Sequence, residues 1–184
     1  MINEKRSLLK QLNRSSFAVK SSVIDLGLGE YMAVSVGANF MSVVHKNSGG
    51  VTIAFPDVCK TPSPVGPIPI PYPNIAKSSD IAQGSKTVKC DGNPICLKDS
   101  NFSMSTGDEV GSAGGGVASN KIKGKAEFVN FSFDVKVEGK NVARAFDLML
   151  HNDKNTPPFP VLQGPVVAMG EDKGECYICG KPLD

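Results

Sequence analysis

Tryptophan is absent from these 184 residues, only 7% are aromatic, and there are two histidines. A chain so short of large side chains builds a thin core. No apolar run approaches the roughly 20 residues that span a bilayer, so stable membrane association is not expected. Lysine and arginine (20) nearly balance aspartate and glutamate (18), for a net charge of +2. With no block of either sign, nothing argues for a nucleic-acid partner or an acidic disordered tail. The five cysteines are an odd number, and Lys10, Arg14 and Lys20 interrupt any early apolar region. No signal peptide is therefore expected, and the cysteines read as thiols or metal ligands rather than a disulfide framework.

What the chain has instead is 19 glycines and 13 prolines. Seven prolines fall in one stretch, Phe55 to Ile75, and Pro67, Pro69, Pro71 and Pro73 occupy every second position. Alternate residues of an extended chain aim their N–H groups to one side. This segment therefore has an edge without donors and a φ fixed at every other residue. It excludes a helix interior or a central strand and reads as a stiff, extended edge. Ile68, Ile70, Tyr72 and Ile75 are too apolar for a solvated linker.

Around that stretch the chain divides into three parts. Residues 1–32 form an N-terminal extension, with Leu8, Leu9 and Leu12 on one face of a short helix. Residues 33–155 form the organised domain, and 156–184 a C-terminal extension. Within the domain, two short apolar runs precede a turn at Asn47–Gly50, with His45 at its edge, and the run VTIAF follows. Residues 88–95 (VKCDGNPI) and 135–142 (VKVEGKNV) repeat a strand–turn–strand unit with a turn glycine. Cys90 and Cys96 stand where the second copy has Val137 and Ala143, so both read as small buried apolar side chains. Residues 103–124 are a Gly/Ser-rich crossing or surface loop without P-loop spacing. From Val129 to Val137 apolar and polar residues alternate strictly, which predicts a strand with one wet face. Near the end, Cys176-x-x-Cys179 has the form of half a zinc knuckle.

Two chemistries are open at the site level. A metal needs about four ligands, and His45, Cys59 and His151 come from three separate segments beside turns. Alternatively Cys59, with His151 and Asp57 or Asp147, has the composition of a cysteine hydrolase. No nucleophile motif surrounds Cys59, and no helix N-terminus is available to lower its pKa.

The blocks PDVCKTPSPVGPIPIPYPNIAKSSD, GSKTVKCDGNPICLKDSNFSMSTGDEVG and KGKAEFVNFSFDVKVEGKNVARAFDLMLHN resemble the PAAR-like domain (DUF4150) of bacterial type VI secretion systems. The stretch Ala143, Arg144, Asp147, His151 is similar to the ligand-bearing motif of ordinary PAAR domains. The resemblance implies a mainly β, small conical fold of hairpins with little helix. It implies a tip that caps and sharpens the trimeric VgrG spike, one chain per trimer, and carries fused or bound effector or adaptor proteins. It implies a zinc ion near the apex, with His45, Cys59 and His151 as the matching ligands, and passage from the bacterial cytoplasm into a target cell. On this reading the chain is not an enzyme. Two alternatives stand beside it: the delivery module of a toxin enzyme of zinc-knuckle nuclease type, in which Cys176 and Cys179 open the toxin domain, and a free-standing zinc-binding adaptor.

Overall fold

The computed structural model describes Val34 and residues 36–164. The helix expected near Leu8 and the Cys176/Cys179 pair lie outside the described residues. In chain order, β1 (Gly37–Ala38) and β2 (Met41–Ser42) form a hairpin, and β3 (Val51–Thr61) and β4 (Ile68–Lys77) form a long ribbon. A 3₁₀ turn at Ser78–Asp80 leads to β5 (Ile81–Ala82) and a second hairpin, β6 (Lys89–Cys90) and β7 (Asn93–Pro94). Then come β8 (Asn101–Phe102), β9 (Ser105–Thr106), β10 (Gly115–Gly116) and β11 (Ala126–Phe128). A third hairpin, β12 (Lys136–Val137) and β13 (Lys140–Asn141), is followed by β14 (Leu148–Leu150) and β15 (Phe159–Pro160). The protein is mainly β, as the sequence predicts. Two sheets, in orders β10-β3-β4-β9 and β15-β14-β11-β8-β5, meet where Val51 bridges Leu162.

The three hairpins are one motif used three times. Each turns on two residues of positive φ: Asn39 and Phe40 (51° and 65°), Asp91 and Gly92 (49° and 78°), Glu138 and Gly139 (53° and 76°). Two positive φ values in sequence make the turn that matches strand twist in two-residue hairpins. After each hairpin the chain hands a backbone bond to the next copy. Val44 N–H donates to Ala143 C=O (3.1 Å), Ala143 to Cys96 (3.0 Å), and Cys96 to Val44 (2.8 Å), closing a ring. Isolated bridges follow the same cycle: Val43 with Arg144, Ile95 with His45, Val142 with Leu97. The following turns are capped at equivalent positions, by Ser48 on His45 N–H (3.2 Å), Ser100 on Leu97 N–H (2.8 Å) and Asp147 on Arg144 N–H (2.7 Å). A single chain thereby acquires pseudo-threefold symmetry held by main-chain bonds.

The first copy escapes the sequence repeat because Phe40 stands where the others have glycine. Its remaining signal is Asn39, a residue tolerant of the left-handed region. Cys96, with Val44 and Ala143, is fully buried, as expected of small apolar positions. One apolar cluster unites the hairpins through Val43, Ile95, Val142, Val88 and Val135, around a cavity of about 330 Å3. A second layer packs Phe102 and Met149 with Val161, and Phe102 meets Phe128 edge-on at 5.7 Å.

The proline segment is the strand the sequence demands. Residues 68–73 of β4 pair only with β3, because β9 reaches just Ile75 and Ala76. Pro69, Pro71 and Pro73 lack N–H groups, so their nitrogens belong on the free edge, which offers no donors to an added strand. The alternation at Val129–Val137 does not make a strand: β11 ends at Phe128 and β12 begins at Lys136. The polar residues there bond backbone and side chains instead of alternating along a ladder. Asn130 accepts from Leu148 N–H and donates to Asp147, and Ser132 Oγ accepts from Val135 N–H (2.9 Å). Such local side-chain bonds compete directly with a ladder.

Candidate metal centre

On β3, alternation points Asp57, Cys59 and Thr61 inward, and all three are buried. A register shift between Ala54 and Asp57 re-aims the strand just before them. From β4, Asn74 donates an amide hydrogen to Asp57 Oδ2, while Asn152 (3.4 Å) and Asn155, on the turn after β14, donate to Oδ1.

The Gly-rich segment, a crossing or surface loop by sequence, is the cover of this group. It contributes Asp108, fully buried, whose two oxygens each accept Lys123 N–H at 3.1 Å. Its glycines are required by close approach. A Cβ at Gly111 would lie 2.3 Å from Cys59 Cβ, and one at Gly116 would lie 2.4 Å from the Asn155 amide carbon.

The thiol sits between the two acids. Cys59 Sγ is 3.7 Å from Asp57 Oδ1 and 4.0 Å from Asp108 Oδ2. One donor atom from each of the three residues falls within 4.8 Å of the others. Burial, then the charges of Asp57 and Asp108, push the thiol up to about 12, so it is no free nucleophile at neutral pH. Asp108 is also raised, chiefly by burial.

The other two residues read as ligands take different places. His151 is buried with Nε2 3.0 Å from Thr52 Oγ1; burial outweighs the opposing pull of Asp57 and lowers its pKa to about 4. Its chain neighbour Asn152 touches Cys59 Sγ at 3.8 Å, so Cys59 and His151 share a neighbourhood. His45 stands apart in the bridge between the first two hairpins, grouped with Cys90 and Asp91. Its Nδ1 accepts Asn47 N–H (3.3 Å), which leaves the ring proton on Nε2, 3.4 Å from Asp91 Oδ2. That tautomer makes His45 a clasp onto the second hairpin turn. The three fall in different places: Cys59 groups with Asp57 and Asp108, His45 with Cys90 and Asp91, and His151 bonds Thr52 beside the first group. Asp108, a functional candidate that sequence reasoning missed, lies 49 residues from Cys59 without a local motif. Asp147, weighed as a partner for Cys59, is instead held by Arg144 at 3.0 Å. Among the described residues no helix is long and apolar enough to cross a membrane.

A family model described as a toxin PAAR-like domain matches residues 50–158. The DNase toxin Tse7 of Pseudomonas aeruginosa is 42% identical over 151 residues, which cover 76% of this chain and 39% of that protein. The chain therefore spans well under half the length of this curated relative. No solved structure matches. The expectation of a non-enzyme is corrected by these matches. The family is one of toxin domains, and the relative is a DNase.

Proposed function

This chain belongs to the toxin PAAR-like domain family, and on that basis we propose that it is the delivery part of a DNA-cleaving toxin carried by a type VI secretion system. The observation that carries this reading is the closed ring of hairpins. A single chain that repeats one backbone motif three times presents the same contact to each subunit of a threefold partner. The partner is the trimeric spike protein, met by the hairpin end, one chain per trimer. The toxin's target is then DNA, a partner the composition did not suggest, and the route runs from the producing cell into a target cell. The sequence boundaries are retained, with 33–155 as the tip domain, extended by the paired strand Phe159–Pro160, and with 1–32 and 156–184 as attachments. We also propose one zinc ion in the half of the molecule that holds Cys59 and His151, with His45 set aside by its tautomer.

Native mass spectrometry of the chain mixed with trimeric spike protein tests the docking. One chain per trimer is expected; no complex, or three chains per trimer, contradicts it. The toxin assignment is tested by expressing the whole toxin, with this chain as its delivery part, in a sensitive bacterium and scoring chromosomal DNA. Loss of DNA supports it, and intact DNA in cells that accumulate the protein counts against it.

A further inference from the structure

We infer that Asp57, Cys59 and Asp108 are the protein ligands of that zinc ion, an inference that rests on the zinc reading above and replaces its ligand set. The charge balance is the first reason. Two buried carboxylates and a thiol converge, yet among the described residues neither acid has a cationic partner. The cations beside the loop face outward: Lys121 Nζ pairs with Asp153 (3.2 Å) and Lys123 Nζ with Glu109 (3.8 Å). Buried like charges without a counter-ion are costly, and a divalent ion removes that penalty.

Spacing is the second reason. Tetrahedral zinc with Zn–S of about 2.3 Å and Zn–O of about 2.0–2.2 Å places sulfur and oxygen roughly 3.5 Å apart. The observed Cys59–Asp57 and Cys59–Asp108 separations are 3.7 and 4.0 Å. A thiolate in the set favours zinc over magnesium or calcium.

The third reason is independent of the acids. Asn74 is fully buried and reaches Asp57 with its amide nitrogen, yet its Oδ1 has no hydrogen-bond partner. Asn74 Oδ1 shares that state with His151 Nδ1 nearby in the chain's fold, and a buried polar atom without a partner calls for one not yet in place. The amides of Asn152, Asn155 and Asn74 on Asp57, and Lys123 N–H on Asp108, then form the outer layer that fixes ligand orientation. Binding deprotonates Cys59: the S–H bond breaks, the sulfur lone pair goes to the ion, and one proton is released to solvent. Affinity therefore rises with pH.

The test uses the full chain in a Cys176→Ser/Cys179→Ser background, which removes the tail thiols. Zinc content is measured by elemental mass spectrometry, and the zinc-stripped protein is then titrated with cobalt. The expected result is one zinc per chain and a thiolate-to-cobalt charge-transfer band. Cys59→Ser abolishes the band, Asp108→Asn lowers zinc affinity at least about 10-fold, and His45→Ala and Cys90→Ala leave both readouts unchanged. Zinc retained at full affinity in Cys59→Ser and Asp108→Asn overturns the ligand set while keeping the zinc reading. So does zinc lost with His151→Ala but kept with Cys59→Ser. A parent protein that takes neither zinc nor cobalt overturns both. If Cys59→Ser does not fold, the parent spectrum decides: no charge-transfer band sinks the proposal.

Discussion

The hairpin end and the β3–β4 end of this molecule are held together by opposite means. At the hairpin end the side chains are methyl-bearing and small, and order comes from a ring of main-chain bonds through Val44, Cys96 and Ala143. At the other end the strand faces inward with Asp57 and Cys59, and order comes from side-chain amides and a glycine-rich cover. Backbone bonds are indifferent to residue type, so the first end can be symmetric despite dissimilar sequences. Buried acids demand specific partners, so the second end is unique and chemically loaded.

The largest effect should follow Asp57→Leu. It leaves the buried Asn74 amide without its acceptor and takes one of two acceptors from Asn152 and Asn155, which keep Lys121 C=O and Val58 C=O; the loss is about 3 kcal/mol, read as a lower denaturant midpoint. If the midpoint is unchanged, the polar network is not what holds that end. Next comes Ala143→Leu on the ring axis, where overpacking against Val44 and Cys96 should lower stability by about 1–3 kcal/mol. The comparison sharpens if this variant also loses spike binding while Asp108→Asn keeps it.

Acid gives a smaller, reversible effect through His151. Its folded pKa of about 4 lies below the ordinary 6.5. Between those values the unfolded chain holds a proton that the folded chain does not, so stability falls as pH drops from 6.5 toward 4. At pH 5 the loss is about 2 kcal/mol, seen as a lower Tm. His151→Gln should flatten that part of the profile; an equally steep profile in the variant would assign the effect elsewhere. The smallest change is Phe40→Gly. Phe40 is 78% exposed at φ 65°, so glycine should relieve left-handed strain of about 1 kcal/mol and raise Tm slightly. A lower Tm would mean that the exposed ring makes a contact the fold needs.

These two ends also mark what was legible in the chain. The proline register states its own edge, since a missing N–H has one allowed direction in a paired strand. The second and third hairpins share a turn glycine and were readable; the first substitutes Phe40 and was not. Alternation from Val129 to Val137 misled because Asn130 and Ser132 bond backbone, while the apolar Val129 and Phe133 are exposed. Cys59 stood out by its rigid setting and His151 by its motif. Asp108 gave no signal, because the contact that makes it a candidate spans 49 residues of chain. That His45 falls beside Cys90 and Asp91, with its Nδ1 taken by Asn47 N–H, is a detail only geometry supplies.

Hydrogen–deuterium exchange of the chain, free and bound to the trimeric spike, tests the division of labour most directly. The account predicts that residues 36–44, 88–96 and 135–143 gain protection together, while 57–61 and 107–124 exchange alike in both states. Protection of one hairpin alone, or protection centred on the 107–124 cover, would contradict it.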